Sequence, residues 1–315
     1  MRSTDSPTRE LMEAVIVASR AAFRHVGSEN KLLVDRAAVD AMRASLNGQR
    51  QGFRVVIGEG AKDDAPMLFN GEILGVSGSI DWDLAVDPID GTRLAAYRLD
   101  GAVSVIGASE PGEMMNCPDV FYMKKLVCGP EGVGLLDIDY SATQNIQTLA
   151  DALQKPVAEL TVAVIDKPVN ADLIEEVKAS GAQWHRFEEG DVAMAVAAAT
   201  PDSGMDLLLG VGGNPEGVLA ACAVRILGGF MQGVLAPRSI EEIEAALNSG
   251  FQLDKKFGLS ELVGGRRQIF VLAGVTDGIL VKGIKVFSET EMDVQLFVLD
   301  TDIEGGRLFT IRVKR

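Results

Sequence analysis

From residue 160 onward the sequence alternates between short apolar runs and helical patterns, and this rhythm is its strongest constraint on the fold. Leu160 to Ile165, Gln183 to Phe187 and Met205 to Val211 are strand-like. The segments Ala171 to Ala179, Asp191 to Ala199 and Glu216 to Leu227 carry helical spacing between and after them. Strands that alternate with helices cannot pair through tight hairpins, so a mostly parallel sheet flanked by helices is expected there. The first half reads differently. Helical patterns over residues 9–26 and 34–46 precede strands at Phe53 to Ile57, Ala102 to Ala108 and Val120 to Cys128. Strand-like segments return from Gln268 and end at Phe309 to Val313. The expected class is α/β, an αβαβα layering with an N-terminal α+β layer and a C-terminal mostly parallel α/β layer. Gln154-Lys155-Pro156 gives the best boundary, which divides the chain into domains 1–157 and 158–315.

Chemistry concentrates where the apolar run Leu84-Ala85-Val86 meets Asp87-Pro-Ile-Asp-Gly-Thr92. Pro88 is expected to end the strand ladder. That leaves Asp87 and Asp90 at the end of a rigid element, with the hydroxyl and free amides of Thr92 beside them. Two carboxylates, a hydroxyl and amides suit divalent cations held against a phosphate. Glu59 stands likewise at the end of the strand Val55-Val56-Ile57, between glycines, with Asp63 and Asp64 close behind. Asp35 opens a helical pattern, where capping is the plainer reading. Glu216 lies in the Gly-rich turn from Gly210 to Gly217, at the carboxyl end of an expected parallel strand. Adjacent Lys124 and Lys125 read first as a solvated strand edge and only second as a phosphate contact.

Bulk properties narrow the field. A net charge of −15 repels nucleic acid and anionic membranes, so neither is an expected partner. It also means that any phosphate site needs cations or local Lys and Arg. Two histidines, His25 and His185, leave no His-rich zinc site. Oxygen donors favour Mg²⁺ or Mn²⁺ instead. No P-loop motif is present. Cys117, Cys128 and Cys222 have no paired spacing and read as reduced core residues. With a polar N-terminus and no apolar run of spanning length, the expected compartment is the cytoplasm.

These motifs resemble a family. Asp87-Pro-Ile-Asp-Gly-Thr92 is similar to the signature of the lithium-sensitive sugar and inositol phosphatases. The runs Gly58 to Phe69, Asn116 to Asp119 with Tyr122 to Leu126, and Gly212 to Gly217 resemble the class II fructose-1,6-bisphosphatases, whose cyanobacterial members also cleave sedoheptulose 1,7-bisphosphate. The resemblance implies hydrolysis of the 1-phosphate of fructose 1,6-bisphosphate, in gluconeogenesis or carbon fixation, by a homodimer or homotetramer. It implies two or three Mg²⁺ or Mn²⁺ ions per site on Asp35, Glu59, Asp87, Asp90 and Glu216. Thr92 and Asp35 are expected to take the catalytic role of orienting the attacking water. Sugar-phosphate contacts fall on Asp90, Gly91, Thr92, Tyr122, Lys167, Pro168, Val169, Glu189, Gly190, Asp191 and Gly213. Several positions depart from the pattern, among them Leu32, Leu33 and Arg36, where polar and small residues are usual, and one extra residue between Asp119 and Tyr122. Many relatives have Glu where Asp90 stands, and a basic residue is usual where Val169 stands. The alternatives are an inositol- or sugar-monophosphatase of the same superfamily and a non-catalytic metal-binding partner protein.

Overall fold

The computed structural model describes residues 6–60 and 67–315. In chain order it begins with helices α1 (Pro7–Phe23) and α2 (Lys31–Asn47), then strands β1 (Phe53–Ile57), β2 (Ile73–Leu74) and β3 (Trp82–Asp90). The short helix α3 (Thr92–Ala96) leads to β4 (Val103–Ser109) and β5 (Tyr122–Cys128). Next come α4 (Ala142–Leu153), β6 (Thr161–Ile165), α5 (Ala171–Ala179), β7 (Gln183–Phe187) and α6 (Asp191–Ala199). They are followed by β8 (Leu207–Gly213), α7 (Asn214–Ile226), β9 (Phe230–Leu235), α8 (Ile240–Asn248), β10 (Phe257–Gly258) and α9 (Leu259–Leu262). Strands β11 (Gln268–Gly274), β12 (Lys285–Val286), β13 (Glu291–Asp300) and β14 (Ile303–Lys314) close the chain.

These elements form two compact units, 1–114 with 265–315, and 115–264. The sequence reading divides the chain at 157 instead. It differs because β5 and α4 look like a continuation of the strands before them, yet β5 hydrogen-bonds to β8 and β9. The C-terminal strands likewise return to the first unit, where β11 pairs with β4.

In the first unit the strand order is β12-β13-β11-β4-β3-β1-β2, with β14 on β13. Amphipathic α1 and α2 cover one face. Leu11, Val15, Val39, Met42 and Leu46 pack with Leu84, Val86, Ile106 and Val271 in a continuous apolar core. Burying side chains of this size contributes about 1.5–3 kcal/mol each. Asn30 caps α2, its Oδ1 accepting from the Leu33 amide at 3.1 Å. Asp35 therefore lies one turn inside the helix and caps nothing, which corrects the capping reading.

The second unit is ordered β10-β9-β5-β8-β6-β7. The α/β class holds, and β6 pairs in parallel with both β7 and β8. The sheet is nevertheless mixed, because β5 runs antiparallel to β8 and β9. Ile146, Leu149, Ile174 and Val177 of α4 and α5 cover one side of it, against Leu126, Val162, Val164 and Leu209. No helix among the described residues is long and apolar enough to cross a membrane.

Candidate active site

In the first unit, β1 and β3 run parallel, with Ile57 beside Ala85. Two residues further on, Glu59 lies just past the end of β1 and Asp87 lies within β3. Pro88 does not end the ladder as expected. β3 continues to Asp90, and its register against β4 shifts between Asp87 and Asp90. A bulge of this kind leaves a residue outside the ladder, so a proline without an amide proton costs nothing there. Asp87 Oδ1 accepts from the Ile89 amide at 3.1 Å, which holds the bulge in shape. Gly91 then adopts φ 87°, the left-handed turn that lets α3 begin directly after Asp90. Asp90 is buried and Asp87 half-buried. Thr92 Oγ1 donates to the Ile89 carbonyl at 3.2 Å.

Glu59 is held by a second close approach. Its amide donates to the Leu68 carbonyl at 2.9 Å, and the Gly58 amide to Asn70 Oδ1 at 3.0 Å. A Cβ on Gly58 would overlap the Leu68 carbonyl, so only glycine fits. Burial, and then the nearby Asp35 carboxylate, push Glu59 up to about 7. Burial also raises Asp35. Two half-buried carboxylates, one of which opposes the ionisation of the other, are matched chemically by a cation that offsets their charge. Asp63 and Asp64 lie outside the described residues. Among the described residues no three His, Cys, Asp or Glu side chains already form a metal cage.

The second unit holds the rest of the expected set. Tyr122 opens β5 opposite Gly213, with the Arg238 guanidinium 3.3 Å from its ring centroid, a cation–π contact. Gly190, at φ 94°, begins α6 immediately before buried Asp191. Glu189 and Lys167 are half-buried, and Pro168 is exposed. Gly213 precedes α7, and a Cβ there would overlap the Glu216 carboxylate. Glu216 Oε2 is inaccessible to solvent and has no hydrogen-bond partner. Burial holds this carboxyl above its usual range; the Lys125 ammonium offsets part of that and Asp191 adds to it. Val169, 48% exposed, lines a cavity of about 430 Å³ with Lys124, Tyr140, Asp172 and Leu173. No other residue expected to contact the sugar phosphate lines it.

Two residues escaped the sequence reading. Lys125 is only 2% exposed and paired with Asp191, and β5 lies between β8 and β9, so the solvated-edge reading is corrected: Lys124 is exposed, but on an interior strand. Neighbours on a strand point to opposite faces, and that rule already required one of the two lysines to face inward. Asn170 bridges β6 and β8 beyond the end of their pairing, donating to the Ile165 and Val211 carbonyls, each at 3.1 Å.

The family model for the bacterial fructose-1,6-bisphosphatases encoded by glpX matches residues 6–310. The chain belongs to this family. Among similar curated proteins of this bisphosphatase family is the D-fructose 1,6-bisphosphatase class 2/sedoheptulose 1,7-bisphosphatase of Synechococcus sp. (strain RCC307). It is 37% identical over 320 residues, covering 97% of this chain and 96% of that protein. The protein of the same description from Synechocystis sp. (strain ATCC 27184 / PCC 6803 / Kazusa) is 36% identical over 303 residues, covering 88% of each. The solved inositol monophosphatase from Anabaena (Nostoc) sp. PCC 7120 aligns with 78% of this chain and 96% of its own, at 11% identity and a TM-score of 0.38. Members of the bisphosphatase family are metal-dependent phosphatases.

Proposed function

We propose that this chain hydrolyses the 1-phosphate of fructose 1,6-bisphosphate, and the corresponding phosphate of sedoheptulose 1,7-bisphosphate, releasing inorganic phosphate. The observation that carries this reading is the juxtaposition of Glu59 with Asp35 inside a chain of this family. It is a carboxylate pair whose electrostatics call for a cation. We assign Asp35, Glu59, Asp87 and Asp90 as ligands of Mg²⁺ or Mn²⁺, and the sequence resemblance adds Glu216. The orphaned Glu216 Oε2 and an all-oxygen donor set fit a hard divalent ion. Two or three such ions would supply charge neutralisation at the phosphoryl group and acidify water.

The remaining work falls to the protein. Thr92 Oγ1 already donates to the Ile89 carbonyl, so its lone pairs are left to accept a hydrogen bond from the attacking water. Asp35 accepts the other hydrogen bond of that water, and the two side chains hold it for in-line attack on phosphorus. The Gly91 and Thr92 amides hold phosphate oxygens. Tyr122, Lys167, Pro168, Glu189, Gly190, Asp191 and Gly213 contact the sugar phosphate. A homo-oligomer, on the strength of the sequence resemblance, and the cytoplasm, on the strength of the polar N-terminal sequence, complete the reading.

Val169 favours a second reading as a monophosphatase, since a valine offers a distal phosphate neither charge nor hydrogen bond. Phosphate release from fructose 1,6-bisphosphate, sedoheptulose 1,7-bisphosphate, fructose 6-phosphate and inositol 1-phosphate, each with Mg²⁺ and Mn²⁺, tests both. Turnover confined to a monophosphate replaces the first reading with the second, and no turnover with any of them removes both.

A further inference from the structure

Lys125 is a lysine side chain 1% exposed, and the fold makes room for it. Its ammonium donates to the Asp191 carboxylate and, at 3.0 Å, to the Gly213 carbonyl. A Cβ on Gly217 would stand 3.2 Å from the lysine Cδ, and one on Gly212 would stand 2.9 Å from Nζ. The glycines that flank the β8–α7 turn therefore leave room for the Lys125–Asp191 pair and, at Gly217, for Met123 as well. A buried ammonium persists only when it is paired and hydrogen-bonded, and here both conditions are met.

The arrangement is unbalanced. Asp191 pairs with this ammonium, and the Glu216 carboxylate lies within electrostatic reach of it, of Asp191 and of Lys167. Asp191 takes the ion pair, while Glu216 Oε2 stays buried and without a partner. We propose that Lys125 is a positioning residue that fixes Asp191 and the Gly213 carbonyl and, by committing its only charge to Asp191, leaves the Glu216 carboxylate dependent on an external cation. This rests on the functional reading above, in which Asp191 and Gly213 contact the sugar phosphate and Glu216 binds a divalent ion.

The consequence has a sign that a purely structural lysine does not share. Lys125 repels any cation bound at Glu216, so its removal strengthens cation binding while releasing Asp191. In Lys125→Met, Mn²⁺ affinity without substrate, read from the spin-resonance signal of the free ion, is expected to rise on the order of tenfold. The KM for fructose 1,6-bisphosphate is expected to rise by at least about tenfold. Parallel weakening of Mn²⁺ and substrate, or no change in either, overturns the proposal. Should that variant fail to fold, Lys125→Met with Asp191→Leu removes both charges. It is expected to keep Mn²⁺ affinity within about threefold of the wild type and still to show the raised KM. A wild-type KM in the double variant overturns the proposal. A wild-type protein that hydrolyses no sugar phosphate sinks the functional reading instead, and the Mn²⁺ measurement alone then decides the role of Lys125.

Discussion

Replacing Glu59 with Gln should stabilise the cation-free protein and flatten its response to pH. Glu59 is half-buried, and burial together with Asp35 moves its carboxyl from an ordinary 4.5 to about 7. An acid whose pKa rises on folding adds stability that is fully present below pH 4.5 and is lost as pH climbs through about 7. The move corresponds to roughly 3 kcal/mol, at 1.36 kcal/mol per pH unit. In EDTA the wild type should therefore melt on the order of 5 °C lower at pH 8 than at pH 5, beyond any change in Glu59→Gln. Saturating Mg²⁺ should reverse the sign in the wild type, because a cation binds the deprotonated carboxylate and its affinity grows with pH up to about 7. The measurement is a melting series from pH 5 to pH 8, with EDTA and with Mg²⁺, on both proteins. Identical pH slopes in EDTA would refute the argument, since Glu59 would then titrate as an ordinary surface acid.

Asp87→Asn should cut turnover at least about a hundredfold while leaving the EDTA melting temperature within a few degrees, because Asn can still accept from the Ile89 amide; retained phosphate release would remove Asp87 from the cation set. Thr92→Ala should lower kcat and kcat/KM together, whereas a raised KM at constant kcat would make Thr92 a binding residue only. Gly58→Ala should cost about 1–3 kcal/mol in urea unfolding, since the added methyl overlaps the Leu68 carbonyl; a neutral result would mean that the loop gives way freely. Val169→Arg should improve KM for the bisphosphate and leave that for fructose 6-phosphate unchanged; equal effects on both would show that Val169 does not face the distal phosphate.

Local periodicity carried most of the secondary structure. The helix at Ala171–Ala179 and the strands at Phe53–Ile57 and Gln183–Phe187 begin and end where the pattern places them. What the pattern could not carry was pairing. Nothing in the composition of β5 says that its partners are β8 and β9, more than seventy residues away, so the boundary at 157 and the mostly parallel sheet followed from chain proximity. Of the candidate site, the position of Glu59 just past a strand and between glycines was legible because that pattern is local. Lys125 was not, because its function lies in a buried ion pair with a residue 66 positions on, and a double lysine looks solvated in any local window.

The chain that builds the first unit is interrupted, and synthesis must cope with that order. β4 is completed by Ser109, but the strand that covers its outer edge, β11, begins at Gln268. All seven residues of β4 are buried in the finished protein, so for about 160 residues of translation an apolar strand waits with an open edge. The second unit is continuous from 115 to 264 and can close on itself during that interval. The half-made chain thus carries one folded body and one sticky template, which makes this enzyme more exposed to aggregation on the ribosome than after release.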